Sequence, residues 1–141
     1  MCIRDSCGIA IAKDSYTCEL ITKYKEFSIN VLPLEKKDAI LFVGRVSGRE
    51  VNKIEKGNLK VTKGKKTDLP ILEDSIAFLE CKLINFLDVA EVRFFIGQVI
   101  HAEYEKELFD ENTGYNIKKV NLPYHLRGNF FATVKWKFQK K

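Results

Sequence analysis

A chain of 141 residues with 45% apolar residues has the size of one domain and can bury a single hydrophobic core. No apolar run approaches the ~20 residues that a membrane-spanning helix requires, so we expect no membrane partner. The formal net charge is +5, which would suit nucleic acid, but no aromatic RNA-binding motif accompanies the lysines. Nucleic acid is therefore an unlikely partner.

The cysteine and histidine content argues against a metal site. The four cysteines form no CxxC pair, and His101 and His125 are the only histidines, so we expect no metal ion. The N-terminus shows no signal-peptide pattern, which predicts a cytoplasmic protein with reduced thiols. Cys18 on a helix and Cys81 on a strand face are expected to pack in the core.

The first half of the chain alternates between strand and helix patterns. Small apolar residues at 8–12 predict a strand, and Ser15 is a good N-cap for the short amphipathic helix that follows. Alternation at 27–31 predicts a half-buried strand. A second helix is predicted at 35–43, with Gly44 in the left-handed conformation at its end.

The second half of the chain is mostly strand. We interpret 57–70 as a surface excursion with a brief edge strand at Leu59 and Val61. Gly97 marks a bulge or a close backbone approach in one of the later strands. Long strands with only two short helices predict a mainly β protein, a β-barrel decorated by short helices. The later strands are predicted at 76–85, 94–103 and 130–138, with a hairpin-type turn at 110–114.

Two runs of lysine account for much of the basic character. One lies in the surface excursion and the other at the C-terminus. Because lysine is the usual exposed residue, both runs are interpreted as solvated surfaces. The runs are Lys60, Lys63, Lys65 and Lys66, then Lys135, Lys137, Lys140 and Lys141.

Two turns in the first half have the composition of a phosphate site. Ser15, Tyr16 and Thr17 open the first predicted helix, where hydroxyls and backbone N–H groups can hold an anion. Ser47-Gly48-Arg49 and Lys53 add a guanidinium that can bind two phosphate oxygens and a second positive charge. From these residues alone, an ordinary capped helix and a surface turn remain the alternatives.

Residues 7–102 resemble the flavoredoxin-type branch of the flavin reductase-like, FMN-binding split-barrel family. The resemblance rests on six groups of residues in the family's order and spacing. They are Ile9-Ala10-Ile11 with Ser15-Tyr16-Thr17 and Glu19-Leu20-Ile21, Glu26-Phe27-Ser28-Ile29-Asn30-Val31, Ser47-Gly48-Arg49 with Asn52-Lys53, Leu69-Pro70, Leu79-Glu80-Cys81, and Phe95-Ile96-Gly97-Gln98-Val99.

The resemblance implies a Greek-key split barrel that binds FMN at a homodimer interface and accepts hydride from NADH or NADPH. It also implies that Arg49 and Lys53 hold the FMN phosphate. Around them, the residues from Ser15 through Thr17, together with Ser47 and Gly48, would supply hydroxyl and backbone donors. No catalytic residue is identified, because hydride transfer to a flavin strictly requires no protein acid or base.

For two side chains near this site, two interpretations remain open. Asn30 ends a predicted strand, and its amide would either contact the flavin or cap the turn. Tyr16 would either lie against the flavin or support the loop.

The chain departs from the family pattern in two places. Val92, in Ala90-Glu91-Val92, stands where the family commonly has a histidine near the flavin or the nicotinamide. Residues 1–6 have no periodicity and are expected to be extraneous, so 7–141 would be a domain fragment that lacks its first strands. We therefore expect this chain to bind FMN weakly or not at all, in contrast to its full-length parent.

Three functions follow from these observations. The first is an FMN-dependent oxidoreductase that transfers hydride from NAD(P)H to FMN. The second is a non-enzymatic FMN electron carrier of the same fold, suggested by Val92, which would need a redox partner protein. The third is a basic β-barrel that binds nucleic acid, suggested only by the charge.

Overall fold

The computed structural model describes residues 5–110, 114–116 and 118–134. Its main feature is a four-stranded antiparallel sheet in the order β1-β6-β5-β2, curled into a half-barrel. The prediction of a mainly β protein with short helices is confirmed. The strands are β1 Ser6–Ala12, β2 Glu26–Val31, β3 Val61–Lys63, β4 Pro70–Leu72, β5 Ala77–Val89, β6 Val92–Tyr104, β7 Phe109–Asp110, β8 Gly114–Tyr115, β9 Tyr124–Arg127 and β10 Phe130–Ala132.

Several predicted features fall wholly or partly outside the described residues. Residues 1–4, the tip of the turn at 110–114 and the C-terminal lysine run are among them. The strand predicted at 130–138 is observed only at its start, as β10; Thr133 and Val134 are not part of it, and 135–141 lie outside the described residues. The pairing of β7 with β8 brackets the predicted turn.

Strands β5 and β6 form one long hairpin, and both run further than the sequence pattern predicted. Each has 13 residues, and they join at Ala90, which adopts a left-handed φ of 46°. The register of β5 shifts twice, between Glu80 and Cys81 and between Leu83 and Asn85. Such irregularities increase strand twist and bend, which helps the sheet to curl.

The hydrophobic core lies between the concave face of this sheet and the first helix. Gly97 makes this packing possible, because a Cβ there would lie 2.5 Å from the Phe27 ring. The predicted close backbone approach at Gly97 is therefore observed. Burial of Cys18 and Cys81 is also confirmed. The buried cluster contains Cys18, Ile21, Phe27, Cys81 and Phe95.

The first helix begins as predicted, and the second lies two residues later than predicted, at 37–45 instead of 35–43. Helix α1, Tyr16–Tyr24, begins as predicted, with the Ser15 hydroxyl accepting a hydrogen bond from the Cys18 N–H at 3.1 Å. Helix α2, Lys37–Arg45, continues through Gly44, so the prediction of a left-handed Gly44 was wrong. A short helix α3, Lys53–Lys56, was not predicted.

A buried carboxylate holds the connection between β3 and β4. Glu80 on β5 has no solvent exposure, and its two oxygens accept hydrogen bonds from three consecutive backbone N–H groups. The donors are Lys65 at 2.8 Å, Lys66 at 3.0 Å and Thr67 at 2.8 Å, and the Thr67 hydroxyl adds a fourth at 2.7 Å. An unpaired buried carboxylate would be costly, so this set of donors is what permits its burial.

The pKa of Glu80 follows from the same environment. Burial alone would raise this pKa, but the hydrogen bonds from the Thr67 hydroxyl and from the three backbone N–H groups outweigh burial and lower it. A carboxyl with a lowered pKa in the folded state stabilises the protein above its unfolded pKa. That stabilisation disappears as the pH falls through the folded pKa.

We predict that Glu80→Gln lowers the free energy of unfolding at pH 7 by about 2–3 kcal/mol, because an amide cannot accept from all these donors. Unfolding of the wild type should become easier as the pH falls below about 4.5, the ordinary pKa of the group. The stability of the variant should respond less to pH in that range. Urea unfolding between pH 3 and pH 7 measures both effects.

The exposed Glu73 supplies the matched control for this prediction. Glu73→Gln removes the same charge and should change stability by less than about 0.5 kcal/mol. Equal stability losses in the two variants, or parallel pH profiles for Glu80→Gln and the wild type, would contradict the role assigned to Glu80.

Candidate functional site

One cleft collects most of the side chains that the sequence singled out. It has a volume of about 490 Å³ and lies where the end of β1, the start of α1 and the segment after α2 meet. Seven of the eight predicted site residues line it. They are Ser15, Tyr16, Thr17, Ser47, Gly48, Arg49 and Lys53.

Arg49 is held at this cleft by contacts on two sides. Its Nη1 donates to the Asp14 carbonyl at 2.9 Å, and its Nη2 donates to Glu19 Oε2 at 3.1 Å. The guanidinium also lies 5.4 Å from the centre of the Tyr16 ring, within the range of a cation–π contact. Tyr16 therefore supports the loop through Arg49, which is one of the two roles predicted for it.

Gly48 allows the turn to pack against Tyr16. A Cβ at position 48 would lie 2.9 Å from the Tyr16 ring and 3.7 Å from Lys53 Cε. The Ser47 hydroxyl accepts a hydrogen bond from the Arg49 N–H at 3.2 Å, which orders the turn. A side chain at position 48 would therefore push these groups apart.

Lys53 reaches back to the end of α2. Its Nζ donates to the Val43 carbonyl at 2.6 Å, so the ammonium is half-buried beside a helix C-terminus, where a cation is favoured. An ammonium has three donors, so this bond leaves donor capacity for an anion in the cleft. Lys53 thus contributes a fixed positive charge to the wall.

Arg45 is a cleft residue that the sequence reasoning missed. It ends α2, lines the same cleft and donates from Nη2 to Asn129 Oδ1, in the turn between β9 and β10. Nothing local in the sequence marks this residue, because its partner lies 84 positions away. With Arg45, three cations and the acidic residue Asp14 line the cleft, which gives a net positive lining suited to a phosphate.

Asn30 lies away from this cleft. Its Oδ1 accepts from the Leu72 N–H at 2.9 Å and from the Ser75 hydroxyl at 3.2 Å, and its Nδ2 donates to the Ser28 hydroxyl at 3.2 Å. These bonds tie the end of β2 to β4 and to the turn after it. Asn30 instead borders an apolar cleft of about 390 Å³ that includes Tyr124.

The two histidines and Val92 lie outside the cleft of Arg49. His101 Nε2 lies 2.9 Å from Glu103 Oε1, and His125 Nε2 lies 3.0 Å from the Gly128 carbonyl; neither ring lines the cleft of Arg49. Val92 lies at the start of β6, paired with Val89 and Ala12.

The buried cysteines have the environment of core residues. Burial, together with the adjacent Cys7 thiol and the Glu80 carboxylate, raises the pKa of the Cys81 thiol to about 12. The Cys7 and Cys81 sulfurs are 3.5 Å apart. A thiol with so high a pKa is a poor nucleophile at neutral pH, so Cys81 is not a candidate for covalent catalysis.

Two further findings concern only the described part of the chain. No group of three or more histidine, cysteine, aspartate or glutamate residues there is placed to hold a metal ion. None of the helices in this part of the chain has the length and apolar character of a membrane span.

The model of the family called flavin reductase like domain matches residues 5–128. This match covers most of the chain, including the cleft of Arg49 and the sheet below it. The chain belongs to the flavin reductase-like domain family. The resemblance noted from the sequence is thereby confirmed.

The curated relatives that this chain matches are longer proteins. An uncharacterized protein of Archaeoglobus fulgidus is 29% identical over 113 residues, which are 80% of this chain and 64% of the relative. A ferric-chelate reductase (NAD(P)H) of the same organism is 27% identical over 101 residues, which are 71% of this chain and 59% of the relative. The chain thus spans less than two thirds of the length of these relatives.

Two solved structures resemble the fold closely. An FMN-binding protein from Thermus thermophilus with bound 1-cyclohex-2-enone has a TM-score of 0.83 and 26% identity, covering 96% of this chain and 73% of that protein. A flavoredoxin from Methanosarcina acetivorans has a TM-score of 0.81 and 26% identity, covering 96% of this chain and 72% of that protein. The predicted split-barrel fold is confirmed by this likeness.

Proposed function

We propose that this protein binds FMN, with the FMN phosphate in the cleft of Arg49, and that it transfers hydride from NADH or NADPH to the flavin. The observation that carries the proposal is the convergence of seven predicted residues on one cleft. The FMN-binding structure from Thermus thermophilus and the NAD(P)H-dependent ferric-chelate reductase support the two halves of the proposal.

The residues of the cleft fit a phosphate group. Arg49 is already oriented by Glu19 and by the Asp14 carbonyl, so little side-chain entropy remains to be lost when it binds phosphate oxygens. Lys53 adds a second charge, and the Ser47 hydroxyl can donate a hydrogen bond to a phosphate oxygen. The start of α1 adds the positive end of a helix dipole.

In this function the protein binds, orients and shields the flavin, and the flavin supplies the hydride-accepting chemistry when bound. The packing of Tyr16 against Gly48 and Arg49 fixes the wall that would set the position of the phosphate. A fixed phosphate fixes the rest of the ligand relative to the sheet. No side chain of the cleft needs to gain or lose a proton for hydride transfer.

Loss of the phosphate contact gives the direct test. We predict that Arg49→Ala weakens FMN binding about 10- to 100-fold, since a charge-assisted hydrogen bond contributes ~1.5–3 kcal/mol. Riboflavin, which lacks the phosphate, should bind the wild type and the variant equally. Flavin fluorescence titration, extended to high ligand concentration, measures both ligands.

Arg127→Ala serves as the control variant, because Arg127 is an exposed arginine on β9 outside the cleft. It removes the same charge and should leave FMN affinity within about twofold, as expected for a surface charge. Equal effects of Arg49→Ala on FMN and riboflavin, or equal effects of both variants on FMN, would contradict the phosphate assignment.

An FMN electron carrier of the same fold is the second candidate. Val92 favours it, because this apolar residue stands where the resemblance places a histidine near the flavin or nicotinamide. The likeness to a flavoredoxin is compatible with it as well. A carrier would hold FMN and exchange electrons with a redox partner protein, without direct oxidation of a nicotinamide.

Anaerobic addition of NADH or NADPH to the FMN-loaded protein distinguishes the two candidates. We expect the visible flavin absorbance to bleach, as hydride transfer requires. Flavin that stays oxidised with both nicotinamides would contradict the reductase and favour the carrier. In that case Val92→His should restore bleaching, with Val89→His as the control on the neighbouring strand.

A homodimer is also proposed, and one face of the β5–β6 hairpin supports it. Leu87 and Phe94 pair directly and are 61% and 40% exposed, and Val89 pairs with Val92 on the same face. The Phe94 ring lies over Gly8 of β1, which extends the apolar face onto a third strand. Exposed apolar surface of this kind commonly marks a protein contact.

Leu87→Lys tests the dimer, because it places a charge in the centre of that face. We expect the wild type to sediment as a dimer. Leu87→Lys should raise the dissociation constant of the dimer at least tenfold, since a buried unpaired charge is costly. Leu126→Lys changes a similarly exposed leucine on β9 and serves as the control. A monomeric wild type, or equal sedimentation of all three proteins, would contradict this interface.

A further inference from the structure

A short basic loop lies apart from the cleft and has no part in the proposed flavin site. We call residues 60–68 the lysine loop; it includes β3 and the turn that leads toward β4. Its four lysines are exposed, and Lys63 forms an ion pair with Asp68 at 2.7 Å. Among the described residues, Lys60, Lys65 and Lys66 form no ion pair within 4 Å.

The backbone of the lysine loop is fixed by the buried carboxylate of Glu80. The N–H groups of Lys65 and Lys66 both point inward to this carboxylate, so their side chains are carried on an ordered backbone. Gly64 fits closely against the same group, because a Cβ there would lie 2.5 Å from Glu80 Oε2. The turn therefore wraps around an anion that belongs to the protein itself.

This arrangement couples an exposed turn to a buried charge. Three consecutive backbone N–H groups of the turn are satisfied by the Glu80 carboxylate. Burial of a carboxylate is costly unless it is hydrogen-bonded, and here four donors bond to Glu80. The hydrogen bonds to Glu80 order the backbone of the loop, and the ordered part carries Lys65 and Lys66.

We propose that the lysine loop is a docking surface for an acidic redox partner protein and that Glu80 is its positioning residue. The redox character of the partner rests on the proposed function, whereas the docking surface does not. Electron-transfer partners form small, weak interfaces that depend on complementary charge, and such an interface needs few lysines.

The composition of the loop favours an acidic protein over nucleic acid. Residues 60–68 contain no arginine and no aromatic residue. Single-stranded nucleic acid is usually held by base stacking on aromatic side chains, and phosphates are bound most specifically by arginine. Lysine ammonium groups are compact point charges that suit the steering of a carboxylate-rich protein surface.

The test uses an acidic [2Fe–2S] ferredoxin as the probe and measures its affinity for the whole chain by thermophoresis over a range of salt concentrations. Lys65→Gln with Lys66→Gln should weaken binding about threefold to tenfold at low salt, as expected for two exposed charge contacts. The control, Lys37→Gln with Lys56→Gln, removes the same charge from exposed positions on α2 and α3. It should change the affinity by less than about twofold.

Glu80→Gln separates positioning from simple charge attraction. This variant makes the protein more positive, so attraction by net charge alone predicts tighter binding of the acidic probe. Positioning predicts weaker binding, because the loop loses its anchor. Gly64→Ala displaces the loop without any change in charge and should also weaken binding, which covers the case in which Glu80→Gln fails to fold.

Several outcomes would overturn the proposal. They are equal losses in both lysine double variants, tighter binding of the probe by Glu80→Gln, unchanged binding by Gly64→Ala, and preference for a single-stranded oligonucleotide over the ferredoxin. The measurement needs no bound flavin. Failure of FMN binding and failure of docking are thus observed separately.

Discussion

The contact between the Phe27 ring and the backbone of Gly97 is the constraint on which the described half-barrel depends. Because position 97 has no side chain, β2 can bring Phe27 down onto β6, and the ring fills the centre of the core. Full burial of such a ring contributes roughly 1.5–3 kcal/mol. Helix α1 packs on the same cluster through Cys18 and Ile21, and this packing places the start of α1 at the rim of the sheet. The packing of the core therefore sets the position of the cleft of Arg49 above it.

The cleft itself is organised by internal partners of its cations. Arg49 is hydrogen-bonded to Glu19, and Lys53 is hydrogen-bonded to the Val43 carbonyl, so both charges are held in position without a bound anion. The Arg49–Glu19 pair is about half exposed, so its own strength is small, and its value to a ligand lies in orientation. A dianionic phosphate would offer Arg49 a stronger partner than one exposed carboxylate.

The features that the sequence predicted correctly are those with local causes. The Ser15 cap, the alternating strands and the close approach at Gly97 each follow from a residue type and its immediate neighbours. The family resemblance added the grouping of the two phosphate turns, which composition alone left open. The Gly44 prediction was wrong because α2 continues to Arg45 and ends at Val46 in an extended conformation. Arg45 and Glu80 were missed because their partners are distant in sequence. Long-range pairs of this kind leave no local pattern.

Two groups of cations in this chain illustrate different uses of positive charge. Those of the cleft have side chains held by hydrogen bonds to the protein, an arrangement that reduces the entropy lost on binding and suits a small ligand held in one pose. Those of the lysine loop have an ordered backbone but exposed side chains, which keep their rotamer freedom and their hydration. Such charges contribute little to tight binding, yet they raise the rate of encounter with a surface of opposite sign. Glu80 therefore has a different task from Glu19: it fixes where the charges are presented and leaves the ammonium groups of Lys65 and Lys66 free to adapt.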